Sequence, residues 1–552
     1  MTAASPPVHT VVLTGRRRWG ALIALAFGVA MIILDATVVN VAIPTMVKDL
    51  NLTANDAEWV TAAYSLMFAS LLILAGRFAD RFGRRLIFVI GVFIFVIASV
   101  LVAMSGNSVE LIAARALQGL GGALMLPSSL SIINAVFVGK ARAAAFAVWG
   151  ATIGGMAALG PLVGGWLTTY ASWHWAFLIN VPIGIAVLIG VFVFVPETKE
   201  TLASKGTDVA GLLLSTLGLL GVVFGLIEGQ RYGWVVSIAP FKVGGLTWEG
   251  GLSPAFVAMV LGIACLIALL IVESRRIAAG KVVVFDLRLF RIRSFGAGNA
   301  VALIVSLGEF GLLFALPLFL QSVRGYSALE TGVILLALAL GSFVASGAGA
   351  GLAQRIGPVR VLQIGMLCEV IGIVGLGVVI STTVTGWALA PWLFIYGMGV
   401  GFATAQLTGV ILSETPVEQS GQASAMQSTA RQVGAAIGTA ILGTTLLVGL
   451  GFNVNQQLQD SGVAAPAAEQ VTQAVQSSAG TVIPSLEQQP NGDTLVTAAS
   501  EGFADATTWV AWVAAAFVLL GLLTTLLLPR NAARVAAEGY APPREAPDTM
   551  GA

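Results

Sequence analysis

Apolar residues in this chain come in long blocks separated by short polar turns, with little of the two-residue alternation of an amphipathic strand. An α-helix needs about 20 mostly apolar residues to cross a hydrocarbon core. Stretches of that kind fall near residues 19–40, 57–75, 86–104, 111–133, 143–166, 174–195, 209–227, 254–272, 295–320, 328–352, 358–380, 388–412, 420–450 and 507–528. The pattern predicts fourteen membrane spans. The first is long enough to cross and lacks a small-residue cleavage site, so it is expected to stay as span 1.

Basic residues in the turns give the orientation. Arg16, Arg17 and Arg18 precede span 1; Arg77, Arg81, Arg84 and Arg85 fill the turn between spans 2 and 3. Lys140 and Arg142, Lys199 and Lys205, a run from Arg275 to Arg293, Arg355 and Arg360, and finally Arg530 and Arg534 follow at every second turn. The intervening turns are nearly free of Lys and Arg, and the long segment from Gly451 to Thr508 has acids and no base. Both termini are therefore expected in the cytoplasm. The turn carrying Glu414 and Glu418 gives no charge signal, and its side follows from the count.

Composition agrees with the pattern. The 552 residues are 57% hydrophobic and 10% charged, with a mean hydropathy of +0.92. A soluble domain averages about 25% charged, so a soluble enzyme and a disordered protein are both excluded. The net charge of +1 leaves no basic surplus to neutralise phosphates, which argues against a nucleic-acid partner. Cys265 and Cys368 lie inside apolar runs and predict neither a disulfide nor a metal site. The preference for Arg over Lys, with abundant Ala, Gly and Val, is that of a GC-rich bacterial genome.

The chain also repeats itself. Gly76-Arg-Phe-Ala79-Asp80-Arg81-Phe-Gly83-Arg84-Arg85 aligns with Gly351-Leu-Ala353-Gln354-Arg355-Ile-Gly357-Pro358 at an offset of 274 residues. The same turn in two places indicates a duplicated bundle. The offset spans eight helices rather than six, so spans 7 and 8 read as an insertion between two six-helix halves.

Several motifs now converge. The Gly76–Arg85 turn, Arg115-Ala-Leu-Gln118-Gly119-Leu-Gly121-Gly122 in span 4, and Gly150…Gly154-Gly155…Gly160-Pro161…Gly164-Gly165 in span 5 occur in order. They are joined by Leu34-Asp35-Ala-Thr37-Val-Val-Asn40-Val-Ala-Ile-Pro44 in span 1 and Trp173-His174-Trp175-Ala-Phe177-Leu-Ile-Asn180-Val-Pro182 entering span 6. Together they resemble the major facilitator superfamily, and within it the fourteen-helix drug:proton antiporters. Where the chain departs, Gln354 replaces the acidic residue of the turn in the second half, which that half commonly loses in the family.

The resemblance implies an all-α polytopic membrane protein of the major facilitator fold, with two six-helix bundles and two inserted helices. The expected divisions are a tail at 1–18, a first bundle at 19–195, inserted helices and linker at 196–294, a second bundle at 295–528 with an outer loop at 452–506, and a tail at 529–552. It implies a monomer in the bacterial cytoplasmic membrane that exports lipophilic or amphipathic compounds in exchange for protons. Two other readings stay open: export of one endogenous metabolite, lipid, siderophore or self-made antibiotic, and a receptor or assembly protein that transports nothing.

Candidate chemistry follows from charges stranded in apolar runs. A charge at the bilayer centre costs at least about 2.5–3.5 kcal/mol, and burial disfavours a carboxyl's charged form. Asp35 in span 1 is thus a candidate proton carrier, unless it anchors a helix end. Glu309 in span 9 is the second; the resemblance places that span on the central cavity. Arg115 is the only base of span 4, and the family pattern implicates its position in proton transfer; the alternative is a snorkelling side chain. Gln118 shares its helical face. Arg431 in span 13 is the second half's buried base, for transport or for structure. Trp149, Phe310, Phe314 and Tyr396 are candidates, with Gln118 and Arg431, for a substrate cavity, whereas Glu369 is expected at the periphery of the fold. In the turn, Asp80 can cap a helix while Arg81, Arg84 and Arg85 meet acids or lipid phosphates, so the segment from Gly76 through Gly83 to Arg85 reads as a cytoplasmic latch. Gly150, Gly154, Gly155, Gly160, Gly164 and Gly165 give span 5 a flat face, and Pro161 allows a bend. No phosphate-binding glycine loop, metal-ligand cluster or nucleophile constellation occurs, so neither a cofactor nor a metal is expected; protons and membrane lipids are the expected partners.

Overall fold

The structure is a computed structural model that describes residues 15–137, 139–198, 208–243, 246–415 and 420–529. Its helices are α1 (Arg16–Asp49), α2 (Ala54–Phe82), α3 (Arg84–Met104), α4 (Ser108–Val136), α5 (Gly139–Tyr170), α6 (Trp173–Leu178), α7 (Asn180–Phe194), α8 (Val209–Tyr232), α9 (Pro254–Ala278), α10 (Arg293–Ser322), α11 (Ala328–Ile356), α12 (Pro358–Val379), α13 (Gly386–Leu412), α14 (Ser420–Asp460), α15 (Ala465–Ser477) and α16 (Gly492–Thr524). A small antiparallel hairpin, β1 (Phe241–Val243) and β2 (Leu246–Trp248), joins α8 to α9; the apolar-block pattern gave no sign of it. Among the described residues twelve helical segments are long and apolar enough to cross a membrane, with α6 and α7 acting as one. The predicted spans at 57–75 and 143–166 lie in α2 and α5, of 29 and 32 residues, which at 1.5 Å rise per residue also suffice for a crossing.

The duplication extends well beyond the aligned turn. Gly83 and Gly357 each stand alone between two helices at positive φ, 125° and 91°. Their amides donate to the carbonyls of Ala79 and Ala353, at 3.0 and 2.9 Å. At the other end of the preceding helix, Thr53 with Asp56 and Ser327 with Glu330 both form reciprocal capping boxes, which satisfy otherwise orphan helix amides. All these pairs keep the 274-residue offset, and so do Asp35 and Glu309.

In the first half α4 packs on α2 and α3, and α1 on α5 and α7; in the second, α13 packs on α11 and α12, and α10 on α14 and α16. The inserted helices α8 and α9 lie against each other, and α8 also touches α2 and α14. The halves meet along two seams, α2 on α14 and α5 on α11. The α5–α11 seam is tied at the arginine-poor end, where the Leu329 amide donates to Thr169 Oγ1 at 3.0 Å. Nearby, Gln321 Nε2 donates to the Val41 carbonyl at 3.1 Å. At the arginine-rich end of α11, a side chain added at Gly351 would meet none of the described residues within 4 Å.

The expected outer loop at 452–506 is largely helical. α14 runs on to Asp460, α16 begins at Gly492, and between them α15 buries Ala468, Val471 and Val475. Of the two readings its composition allows, a short helix or a flexible segment, the helix forms, on a three-to-four-residue apolar stripe.

Candidate functional site

Each half encloses charged side chains, arranged differently. In the first half Asp35 of α1 and Arg115 of α4 form an ion pair, Nη1 to Oδ2, at 2.6 Å, with side chains 1% and 0% exposed. Arg115 also donates to Gln118 Oε1 at 2.7 Å and through Nε to the Val60 carbonyl at 3.1 Å. The other carboxylate oxygen of Asp35 accepts from Gln118 Nε2 at 3.0 Å and Asn180 Nδ2 at 2.9 Å. Ser99 Oγ accepts from both amides, and the guanidinium lies 4.6 Å from the centre of the Tyr64 ring. Asp35, Arg115 and Gln118 thus lie in one cluster. Arg115 does not snorkel.

Asn180 reaches this cluster because the helix breaks beneath it. Pro182 has no amide to offer the Leu178 carbonyl, and the helical run divides at Ile179. Asn180 then opens α7 with its side chain fully buried. In the sequence Asn180 stands in a motif without a role of its own, and Ser99 and Tyr64 carry no signal, because neutral polar residues in apolar runs are too common to single out.

In the second half Glu309 of α10 faces Arg431 of α14 at 3.8 Å, a looser pair. Arg431 is 28% exposed while Glu309 is buried, and Arg431 Nη1 reaches Thr404 Oγ1 at 3.4 Å. Tyr396 Oη donates to the backbone carbonyl of Glu309 at 3.4 Å. Glu369, expected at the periphery, is instead wholly enclosed against Gly399 of α13, and neither carboxyl oxygen meets a protein donor. Glycine at 399 removes the side chain that would have kept α12 and α13 apart.

The other expected residues divide as follows. Gln118, Phe314 and Tyr396 are enclosed by protein in this conformation, and Trp149 Nε1 donates to Ser129 Oγ at 3.2 Å within the first half. Gly160 and Gly164 lie on α1 against Thr37 and Val38, and Gly165 lies on α11 against Ala328. The span-5 glycine face thus serves both α1 and the seam. At the turn, Glu197 caps α3, its carboxylate accepting from the amides of Arg85 and Leu86 at 3.1 Å each. Arg81 stacks on Phe82, Arg84 Nη1 approaches the Ser131 carbonyl, and Arg85 lies over Phe192. Gly76 lies near Pro127. The side chains of Asp80 and Phe310, and the surroundings of Gly150, Gly154 and Gly155, lie outside the described residues.

Two repeated helical bundles, joined along seams at one end and each enclosing an acid at the same repeat position, define a two-domain membrane carrier. The sequence model of the Major Facilitator Superfamily matches residues 25–439. The chain is 33% identical over 430 residues to the tetracenomycin C resistance and export protein of Streptomyces glaucescens, covering 78% of this chain and 76% of that one. It is 34% identical over 469 residues to the probable actinorhodin transporter of Streptomyces coelicolor (83% and 76% covered), and 31% identical over 433 residues to the multidrug efflux pump LfrA of Mycolicibacterium smegmatis (78% and 81%). Among solved structures, a bacterial homolog of the human lysosomal transporter Spinster, inward-facing and unoccupied, matches with a TM-score of 0.60 at 18% identity, covering 93% of this chain and 98% of that one. The chain belongs to the Major Facilitator Superfamily. It is a multi-pass membrane transporter, not an enzyme.

Proposed function

We propose that the protein is a proton-coupled antiporter that exports lipophilic or amphipathic compounds from a bacterial cytoplasm by alternating access. In this reading it has fourteen spans, with both termini and the arginine-rich turns in the cytoplasm, and works as a single chain. The observation that carries the reading is the Asp35–Arg115 pair. A carboxylate sealed among α1, α3, α4 and α7 is stabilised by one cation and two amide donors. When α1 moves relative to α4, that cation is withdrawn and the carboxyl takes a proton; when they return, the proton leaves. Glu309 occupies the repeat-related place of Asp35 in the second half, and with the partly exposed Arg431 of α14 contacts substrate charge. The resistance and efflux names of the relatives support export as the direction of transport.

A second reading is export of a single compound, supported by relatives named for individual antibiotics, tetracenomycin C and actinorhodin. Efflux of a panel of lipophilic cations and neutral compounds from proteoliposomes separates the two: broad export fits the first reading, one transported compound the second. In the same vesicles, Asp35→Asn is expected to abolish transport driven by an imposed pH gradient.

A further inference from the structure

A further buried acid lies on the seam between the halves, two residues from Val60, whose carbonyl accepts from Arg115. Glu58, in the first turns of α2, is 0% exposed, and among the described residues neither of its carboxyl oxygens meets a protein donor. It lies flat on α14: a Cβ built at Gly443 would stand 2.5 Å from Glu58 Oε1 and 2.6 Å from its Cδ. Only glycine leaves room for the acid there. The seam therefore closes directly over a carboxyl group.

Nothing about the seam itself requires an acid. The repeat-related residue on the partner seam is Gly332 of α11, which lies against the Pro161 backbone of α5. One seam closes backbone on backbone; the other closes on Glu58. The inserted helices complete the enclosure. Asn55 Nδ2 donates to the Ile227 carbonyl at 2.9 Å, Trp59 Nε1 to Glu228 Oε1 at 3.0 Å, and Thr444 Oγ1 to the Leu226 carbonyl at 3.1 Å. α8 thus clamps α2 and α14 on either side of Glu58.

Among the described residues the charged groups around Glu58 offer it no cation: Arg231, in the last turn of α8, is exposed and lies over the Tyr232 ring. Glu228 on α8 adds a like charge. On α2 itself, Asp56 is engaged with Thr53. From α4, Arg115 touches α2 at the Val60 carbonyl but is paired with Asp35. α14 carries Arg431 three turns away and Asp460 at its far end, and Glu469 of α15 is exposed. An ionised carboxylate enclosed without donor or counter-ion is strongly disfavoured, whereas the same group facing water in an open seam ionises freely.

We propose that Glu58 is a proton-binding site of its own: the α2–α14 seam closes over the neutral acid, so each closure at the arginine-poor end takes up one proton from the side on which that seam opens. The inference rests on the alternating-access reading above, but is independent of Asp35. It gives the cycle a second point at which proton binding and conformation are linked, and gives α8 a function as the clamp that shapes the site.

The test is a distance measurement on the full chain in lipid nanodiscs. Spin labels are placed at Met104→Cys and Trp387→Cys, exposed positions (75% and 83%) at the arginine-poor ends of the first and second halves, in a background with Cys265 and Cys368 replaced by alanine. From pH 5 to pH 9 the ratio of open to closed seam is expected to rise about tenfold per pH unit over the range where one proton is exchanged. In an Asp35→Asn background, which removes the other proton-linked acid, Glu58→Gln should hold the seam closed and abolish that slope; Glu58→Met, apolar and of similar length, should do the same if glutamine impairs folding. Gly443→Ala should hold the seam open at every pH. Asp35→Asn should retain the slope while losing transport, which separates this proposal from the antiport reading. A slope that survives in the Glu58 variants, is absent from the unsubstituted pair, or disappears in Asp35→Asn would overturn it.

Discussion

Replacing Asp35 by asparagine should have two separable effects. The carboxylate and the Arg115 guanidinium are 2.6 Å apart and almost completely enclosed, so losing the acid leaves a buried cation. Breaking such a pair from one side typically costs about 3–5 kcal/mol. Arg115 would keep its contacts to Gln118 and the Val60 carbonyl, which places the loss near 3 kcal/mol, the lower end of that range. Arg115→Gln should cost a similar amount, because Asp35 would keep only the Gln118 and Asn180 amides. The double variant removes both charges and should regain most of the loss, giving a coupling of at least about 3 kcal/mol. Unfolding by sodium dodecyl sulfate in mixed micelles, followed by tryptophan fluorescence, measures all four corners of the cycle. Proton-driven transport should be absent from all three variants, the stable double included. Additive losses of stability would refute the pairing, and transport by the double variant would refute its role.

Other predictions rest on close approaches. Gly83→Ala should cost about 2 kcal/mol, since φ is 125° and the new methyl meets the Glu197 carboxylate; Gly357→Ala, with nothing within 4 Å, should cost about half as much by the same measure of backbone strain. Thermal unfolding in detergent gives the order, and equal losses would exclude the Glu197 contact as a cause. Gly160→Ala should lose about 1–3 kcal/mol through overpacking on Thr37, against a change within about 0.5 kcal/mol for Gly347→Ala, which has open space around it. Glu309→Gln should reduce efflux of cationic compounds more than of neutral ones in a paired substrate assay; equal reductions would argue against direct contact with substrate charge.

Legibility in the sequence followed cost. A charge within twenty apolar residues is expensive, so Asp35, Arg115, Glu309 and Arg431 were conspicuous, and the structure pairs them two by two. Glu58 was not, because an acid in the first turns of a helix is ordinary; its meaning comes from Gly443, 385 residues away in sequence. Asn180 needed the helix break imposed by Pro182 to point inward. Glu369 was misplaced because the packing of α12 on Gly399 cannot be inferred from either helix alone. The duplicated turn was readable from Gly83 and Gly357, yet the matched capping boxes and the equivalence of Asp35 and Glu309 appeared only with the helix boundaries. Likewise α15 required the fold of α14 and α16 to give its short apolar stripe something to cover.

Proton exchange at Asp35 as the carrier alternates can be read from proton flux evoked by substrate. Purified protein in liposomes containing a pH-sensitive dye, with no imposed gradient, is given an outward substrate gradient, and luminal pH is followed. Proton movement opposite to substrate is expected for the unsubstituted chain and none for the folded Asp35→Asn variant. Undiminished substrate-evoked proton flux through Asp35→Asn would contradict proton exchange at Asp35.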